Sequence, residues 1–322
     1  MPEYQKSDFT RSDTQATIHR YGITFKTLFF GKNVRAFEGN ITSGRSKIMS
    51  INNQKQEPGT GLKVYKSTDD LHTYLITVIT VVLNNPEGLR KTIESVLAQT
   101  YNNIEYIIID GGSAKSTLDV IKEYERGIAY WISEPDKGTY DAMNKGIEFA
   151  TGDYINFMNA DDWFYSKNTI ENIFLQQHGN SDFIYGDTVC RYDQGKVKYF
   201  NALTVDDLWK YMIFFHQSSF MKKSIVEKQK FGLKYKISND YELIYNAYNN
   251  GARFFKIDQP VSVYYRNGIS HQKFIRRYFE NWMISRKFNK HQGFKHSHFS
   301  LIPKRIYKEI ITLFGRKNNQ VL

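Results

Sequence analysis

Cysteine is all but absent from this chain. Its single thiol, Cys190, can form neither an intramolecular disulfide nor a zinc cage, which argues against a stapled secreted scaffold and for a reducing compartment. Long apolar runs are missing too. The longest, Tyr74 to Leu83, is about half of the roughly 20 residues that a membrane-spanning helix needs. No basic-then-apolar leader opens the sequence. Nor does any strand-like segment run into a Gly-x-Gly-x-x-Gly or Gly-x(4)-Gly-Lys-Ser loop, so the dinucleotide fingerprint and the Walker loop are both excluded.

What is present is ordinary globular usage. Of 322 residues, 41% are hydrophobic and 24% charged, enough to bury a core and too apolar for wholesale disorder. The net charge of +11 is unevenly placed. Residues 1–70 carry 11 basic and 7 acidic side chains, residues 71–270 carry 21 and 24, and residues 271–322 carry 12 and 2. A nucleic-acid binder would spread its cations over one face of the fold, which the near-neutral middle does not do. A basic tail suits anionic lipid or another polyanion, with a merely solvated tail as the bland alternative.

Residues 1–70 are polar, with no sustained period, and 50–61 read as linker. The expectation is a poorly ordered extension. From Ile76 a β-branched run to Val82 marks a strand buried on both faces. Asn85 then caps a helix with Pro86 in its first turn. Strands Ile104–Ile109, Ile128–Ser133 and Tyr154–Met158 alternate with helices near Thr117–Tyr124 and Tyr140–Phe149. That rhythm predicts βαβ units and a mostly parallel central sheet with helices on both faces. The second half predicts an α+β elaboration. It has a strand at Phe183–Tyr185, a hairpin over Val189–Tyr199, helices at Val205–Tyr211 and Asp240–Asn249, and a strand at Arg253–Ile257.

In an open parallel sheet, ligands bind outside the carboxyl ends of the strands. Those ends are Leu83-Asn84, Asp110-Gly111-Gly112-Ser113, Glu134-Pro135-Asp136-Lys137-Gly138 and Asn159-Ala160-Asp161-Asp162. Three of the four carry carboxylates, which repel in one crevice unless a cation or hydrogen-bond donor sits among them. Hard oxygen ligands at the fourth end would suit Mg²⁺ or Mn²⁺.

These strand ends, taken with Ser95-Val96-Leu97-Ala98-Gln99-Thr100-Tyr101 and in this order, resemble the family 2 glycosyltransferases of the GT-A fold. The likeness covers about residues 74–270 and is nearest to bacterial enzymes of cell-surface polysaccharide synthesis. It implies inverting transfer of a sugar from a nucleotide donor, usually a UDP-sugar, to a saccharide or lipid-linked saccharide hydroxyl, with a divalent metal, Mn²⁺ or Mg²⁺. It further implies that Asp110 reads the nucleobase, with Thr80, Leu83 and Gly111 lining the pocket. Asn159 stands where the family's Asp-x-Asp motif has its first Asp, and would bond a ribose hydroxyl. Asp161 would hold the metal, assisted by Asp162. Asp136, Lys137, Asp141 and His216 would face the donor sugar or phosphates, and Arg266 or His271 the diphosphate.

Inverting transfer needs a carboxylate opposite the leaving group. Asp240 matches that position, although Asn239 replaces its usual acidic neighbour and a plain N-cap would account for Asp240 locally. Residues 301–314 form a basic amphipathic pattern that either lies on an anionic bilayer or packs on the body. The expected location is cytoplasmic, peripheral on the inner face of the membrane. Two other readings stay open. One is a nucleotidyltransferase. The other is a catalytically inactive sugar-nucleotide-binding or scaffold protein, kept alive by Asn159 and Asn239.

Overall fold

The computed structural model describes residues 74–176, 180–192, 195–265 and 274–288, and the backbone of three strands within residues 15–39. Those three are β1 (Gln15–Arg20), β2 (Ile23–Phe30) and β3 (Asn33–Gly39). The main body begins at β4 (Ile76–Val82), followed by α1 (Pro86–Leu97), β5 (Ile104–Asp110), α2 (Lys115–Glu123) and β6 (Tyr130–Ser133). Next come α3 (Thr139–Phe149), β7 (Tyr154–Phe157), β8 (Trp163–Phe164) and α4 (Thr169–Phe174). The second half holds β9 (Phe183–Arg191), β10 (Val197–Phe200), β11 (Ser219–Lys222), α5 (Lys223–Gln229), α6 (Asn239–Asn249), β12 (Phe254–Tyr265) and α7 (Phe274–Phe288).

Why the central strands are apolar throughout is plain from their packing. Every residue of β4 is buried, and side chains alternate between two cores because a strand has period two. Ile79 and Val81, with Ile107, Ile109, Ile155 and Phe157, pack against Met143 and Ile147 of α3 and Leu243 and Ile244 of α6. Ile76, Val78 and Val82, with Tyr106 and Ile108, pack against Leu89, Ile93 and Val96 of α1, Ile121 of α2 and Ile170 of α4. Helices therefore cover both faces, as the alternation predicts.

Among the described residues, all the strands belong to one 12-stranded sheet of order β3-β2-β1-β6-β5-β4-β7-β11-β9-β12-β8, with β10 paired to β9. Parallel pairing is confined to the β6-β5-β4-β7 block and to β9 with β12. The sheet is therefore mixed, a parallel centre with antiparallel flanks.

Four details depart from the sequence pattern. The polar extension carries strands, with β1 pairing antiparallel to the edge of β6. β1 and β2, and β2 and β3, pair antiparallel and are short, so they do not register as a period in the sequence. The strand expected at 253–257 continues to Tyr265, its register shifting around Pro260, where a missing N–H is tolerated. The helix expected at 205–211 is only a single turn, Val205–Asp207, since so short a run does not cover the cost of nucleation. Finally, α7 lies on the body, with Ile284 and Ser285 fully buried, so the folded unit runs past residue 270. The amphipathic segment 301–314 lies outside the described residues.

Candidate active site

Because β6, β5, β4 and β7 run parallel, their carboxyl ends share one edge of the sheet. Asp110 closes β5 there, fully buried. Its Oδ2 accepts from the backbone N–H of Gly112 (3.1 Å) and Ser113 (2.8 Å) and from Ser133 Oγ of β6 (2.7 Å). Its Oδ1 is buried with no hydrogen-bond partner among the described residues. An orphaned buried acceptor costs about 1–3 kcal/mol, a cost that a ligand N–H would remove. A Cβ on Gly111 would lie 2.4 Å from Asp136 Oδ2 and 3.4 Å from Leu83 Cδ1, so the ends of β4 and β5 and the loop after β6 close around this point. Two non-glycine residues here take the left-handed conformation, Asn84 (φ 50°) and Asp161 (φ 78°), and such strain concentrates where a site demands it.

A chain of side chains leads from the end of β7 to α6. Asn159 Nδ2 lies 3.1 Å from His216 Nε2, and His216 Nδ1 lies 3.1 Å from Asp240 Oδ2. If the amide donates to Nε2, Nδ1 carries the proton and donates to the carboxylate, and both ring nitrogens have a partner in the neutral tautomer. The other carboxylate oxygen, Oδ1, accepts from its neighbour's N–H in Tyr241 (2.9 Å) and from Tyr140 Oη (3.1 Å). Tyr140 lies in the first turn of α3, and its single hydroxyl proton is shared between Asp240 Oδ1 and the Ile237 carbonyl, the latter at 2.5 Å. Burial, and after it the charge of Asp240, holds the Tyr140 phenol well above its ordinary value. It stays a donor at neutral pH. Asn159 Oδ1, like Asp110 Oδ1, is buried and unpartnered among the described residues.

Asp161 sits beside these groups with its Oδ1 3.4 Å from Lys91 Nζ. Its backbone N–H donates to Gly88 O and Thr92 Oγ1, both at 3.1 Å, so α1 sets the unusual backbone. Asp162 has a different fate from the one expected. It is only 5% exposed, and its Oδ2 accepts from Gln217 Nε2 at 2.7 Å. That leaves it an anchor for the segment after His216 instead of an open metal ligand.

Burial pushes the Asp162 carboxyl up to about 7. Between about pH 4 and pH 7 the folded protein holds a proton that the unfolded chain has lost, so this group makes stability fall as pH rises through that window. Asp162→Asn removes the effect. The melting temperature of the variant relative to wild type is expected to climb between about pH 4 and pH 7 and to level off above it. Parallel curves would contradict the assignment.

Several sequence-predicted residues land elsewhere than expected. Thr80 is fully buried in mid-strand, its hydroxyl bonded to Met158 O (2.8 Å) and Tyr106 Oη (3.0 Å). It faces the core under α1, not a nucleotide, and Leu83, 57% exposed, is the open residue of that strand end. Asp136 Oδ1 accepts from Gly138 N (2.7 Å) and Asp141 Oδ2 from Lys137 N (2.9 Å), so both carboxylates shape the loop that carries the exposed Lys137. Arg266 and His271 lie outside the described residues. Asn239 has a local reason to be an amide. Fully buried, it accepts from Tyr235 N (3.0 Å) and donates to Tyr235 O, a pair of bonds that no carboxylate makes. Tyr140 lies within the segment 136–146 but has no role assigned from the sequence; its partners alone reveal it. Among the described residues no group of three His, Cys, Asp or Glu side chains forms a ready-made metal cage, and no helix is long and apolar enough to cross a membrane.

This geometry agrees with what known proteins show. Residues 77–234 match the model of Glycosyl transferase family 2. A PGL/p-HBAD biosynthesis glycosyltransferase of Mycobacterium bovis is 28% identical over 215 residues, spanning 63% of this chain and 83% of that protein. The fold is shared with TarS 1–349 of S. aureus in complex with UDP-GlcNAc (TM-score 0.51, 16% identity, 68% of this chain and 73% of that one). It is shared as well with the mannosyltransferase PcManGT of Pyrobaculum calidifontis in complex with GDP-Man and Mn²⁺ (TM-score 0.50, 17% identity, 63% and 61%). With these strand-end carboxylates and their order along the chain, residues 77–234 form a glycosyltransferase family 2 domain, and the protein is a glycosyltransferase of the GT-A fold.

Proposed function

We propose that the protein moves a sugar from a nucleoside diphosphate donor, a UDP-sugar in preference, onto a hydroxyl of a saccharide or lipid-linked saccharide, with inversion. The observation that carries this is the chain Asn159–His216–Asp240–Tyr140, which joins the strand-end crevice to the carboxylate on α6. Asp110 Oδ1 is an acceptor waiting for a donor, and the imino N–H of a uracil is one. Asn159 Oδ1 offers the same to a ribose hydroxyl. Lys137 is a cation free to meet the diphosphate. Asp240 takes the proton of the attacking hydroxyl, while His216 and Tyr140, one on each oxygen, fix its orientation.

A divalent cation fits this donor set only in part. Asp161 contributes one carboxylate and Asn159 an orphaned amide oxygen, and Mg²⁺ or Mn²⁺ is often held by one or two protein oxygens completed by substrate phosphates. When bound there with the diphosphate, the metal would neutralise the leaving group. The tail beyond α7 is the segment that would attach the enzyme to the inner face of an anionic membrane. Co-sedimentation with acidic vesicles is expected to be lost on truncation after residue 288, a cut that spares α7; equal sedimentation of both forms would refute it.

Donor recognition is read out by thermal shift with UDP, GDP and CDP, each with and without Mn²⁺. UDP with Mn²⁺ is expected to raise the melting temperature most, by the equivalent of about 2.7 kcal/mol at a hundredfold excess over Kd. Asp110→Asn is expected to cut that rise, because its amide can present N–H to the base. No shift with any of the three would overturn the reading.

A further inference from the structure

Glu280, on α7, is a carboxylate with an unusual set of partners. It is 3% exposed, and both of its oxygens are spent on one short loop. Oε1 accepts from Lys236 N at 3.0 Å, and Oε2 from Ile237 N at 2.8 Å and Ser238 N at 3.1 Å. Arg276, one helical turn earlier, donates to Oε1 at 2.8 Å. Burial opposes ionisation here, but the Arg276 bond and the backbone N–H groups outweigh it, and the carboxyl titrates below its ordinary value. Three consecutive backbone donors converging on one carboxylate make a rigid nest.

The loop so held is the one that delivers Asp240. Ser238 precedes α6, makes no side-chain cap, and has its hydroxyl buried without a partner among the described residues. The three N–H groups of the loop leading into α6 are therefore served from another helix, 42 to 44 residues away. The carbonyl of Ile237, between two of the clamped amides, is also the acceptor for Tyr140 Oη, which in turn touches Asp240 Oδ1. Glu280 thus lies behind the carboxylate at one remove, and α7 is locked in place by buried Ile284, by the Ser285 bond to Trp209 O and by Lys287 on Glu242 (2.8 Å).

We propose that Glu280 is a positioning residue for sugar transfer, holding the 236–238 loop so that Asp240 and Tyr140 meet the acceptor hydroxyl in register. The proposal rests on Asp240 being the base. Its chemistry is specific to a carboxylate. In Glu280→Gln, whichever way the amide turns, its NH₂ confronts a backbone N–H, because Oε1 now accepts one and Oε2 two. The loop must then move, and a displacement near 1 Å in a catalytic group costs about 10²-fold in rate.

The test uses the full chain and four forms: wild type, Glu280→Gln, Tyr140→Phe and the double variant, with Asp240→Asn alongside. Glu280→Gln is expected to lower kcat about 10- to 100-fold while KM for the donor and the UDP·Mn²⁺-induced thermal shift stay at wild-type values. Since Glu280 reaches Asp240 through Ile237 and Tyr140, along one path, the double variant is expected to lose no more than the worse single one. Wild-type kcat in Glu280→Gln, a parallel loss of UDP binding, or fully multiplicative losses in the double variant would each overturn the proposal. Full activity of Asp240→Asn would instead bring down the base assignment itself, whereas an inactive Asp240→Asn beside an intact Glu280→Gln would bring down only the role of Glu280.

Discussion

Asp240→Asn is expected to lower kcat by about 10²- to 10⁴-fold, the usual worth of a positioned general base, with UDP·Mn²⁺ binding unchanged. The variant is close to isosteric, and its amide oxygen still accepts from Tyr140 and Tyr241. What it removes is the proton acceptor. It also sets an NH₂ against the protonated Nδ1 of His216, 3.1 Å from the present carboxylate, so the imidazole must turn or change tautomer. The disturbance would travel to Asn159 and no further, because Asp110 is held separately by Gly112, Ser113 and Ser133. A variant that transfers sugar normally would remove Asp240 from the mechanism. One that fails to bind nucleotide would place the residue in donor binding instead.

The second large effect is expected at Asp161. Replacement by Ala removes the one carboxylate of the β7 end that is not committed to the interior, since Asp162 is buried against Gln217. Activity is expected to fall by at least about 10²-fold, the scale seen when one group stabilising a developing anion is lost. The Mn²⁺-dependent part of the UDP thermal shift would vanish with it. Lys91 loses its partner at 3.4 Å, but that contact is exposed and adds little to stability, so the fold should survive. EDTA treatment of the wild type should reproduce the variant's thermal-shift behaviour. Undiminished metal dependence in Asp161→Ala would move the cation to other ligands.

Much of this site is legible in the sequence because its residues sit at strand ends, and the strands announce themselves. A β-branched run such as Ile76–Val82 has no other comfortable home than the middle of a sheet, and the residues just after such a run must lie at the carboxyl edge. Asp110, Asn159 and Asp161 can be placed on that ground, whereas Asp240, on a helix, is picked out only by the resemblance to the family. Side-chain parity is harder to see. Thr80 shares a face with Val78 and Val82 under α1, which only the packing reveals. A burial effect hides in the same way, for Asp161 and Asp162 are neighbours in the chain, yet one is accessible and the other enclosed. Contacts distant in sequence are invisible altogether. Nothing local to Tyr140 shows that it meets a residue 100 positions later, and nothing in the basic stretch around α7 shows that Glu280 turns inward to clamp a loop. The amide at Asn239 reads as a lost acid until its two bonds to Tyr235 are seen.

The stereochemistry of the product bears most directly on whether one crevice unites nucleotide, metal and base for a single displacement. Proton NMR of the anomeric signal, recorded during turnover of the α-linked donor whose nucleotide binds best, tracks it in real time. Attack assisted by Asp240 from the face opposite the diphosphate yields a β-linked product as the first species formed. An α-linked first product would mean that the leaving group and the new bond share a face, and a crevice built on Asp110, Asp161 and Asp240 would not be the one that performs the reaction.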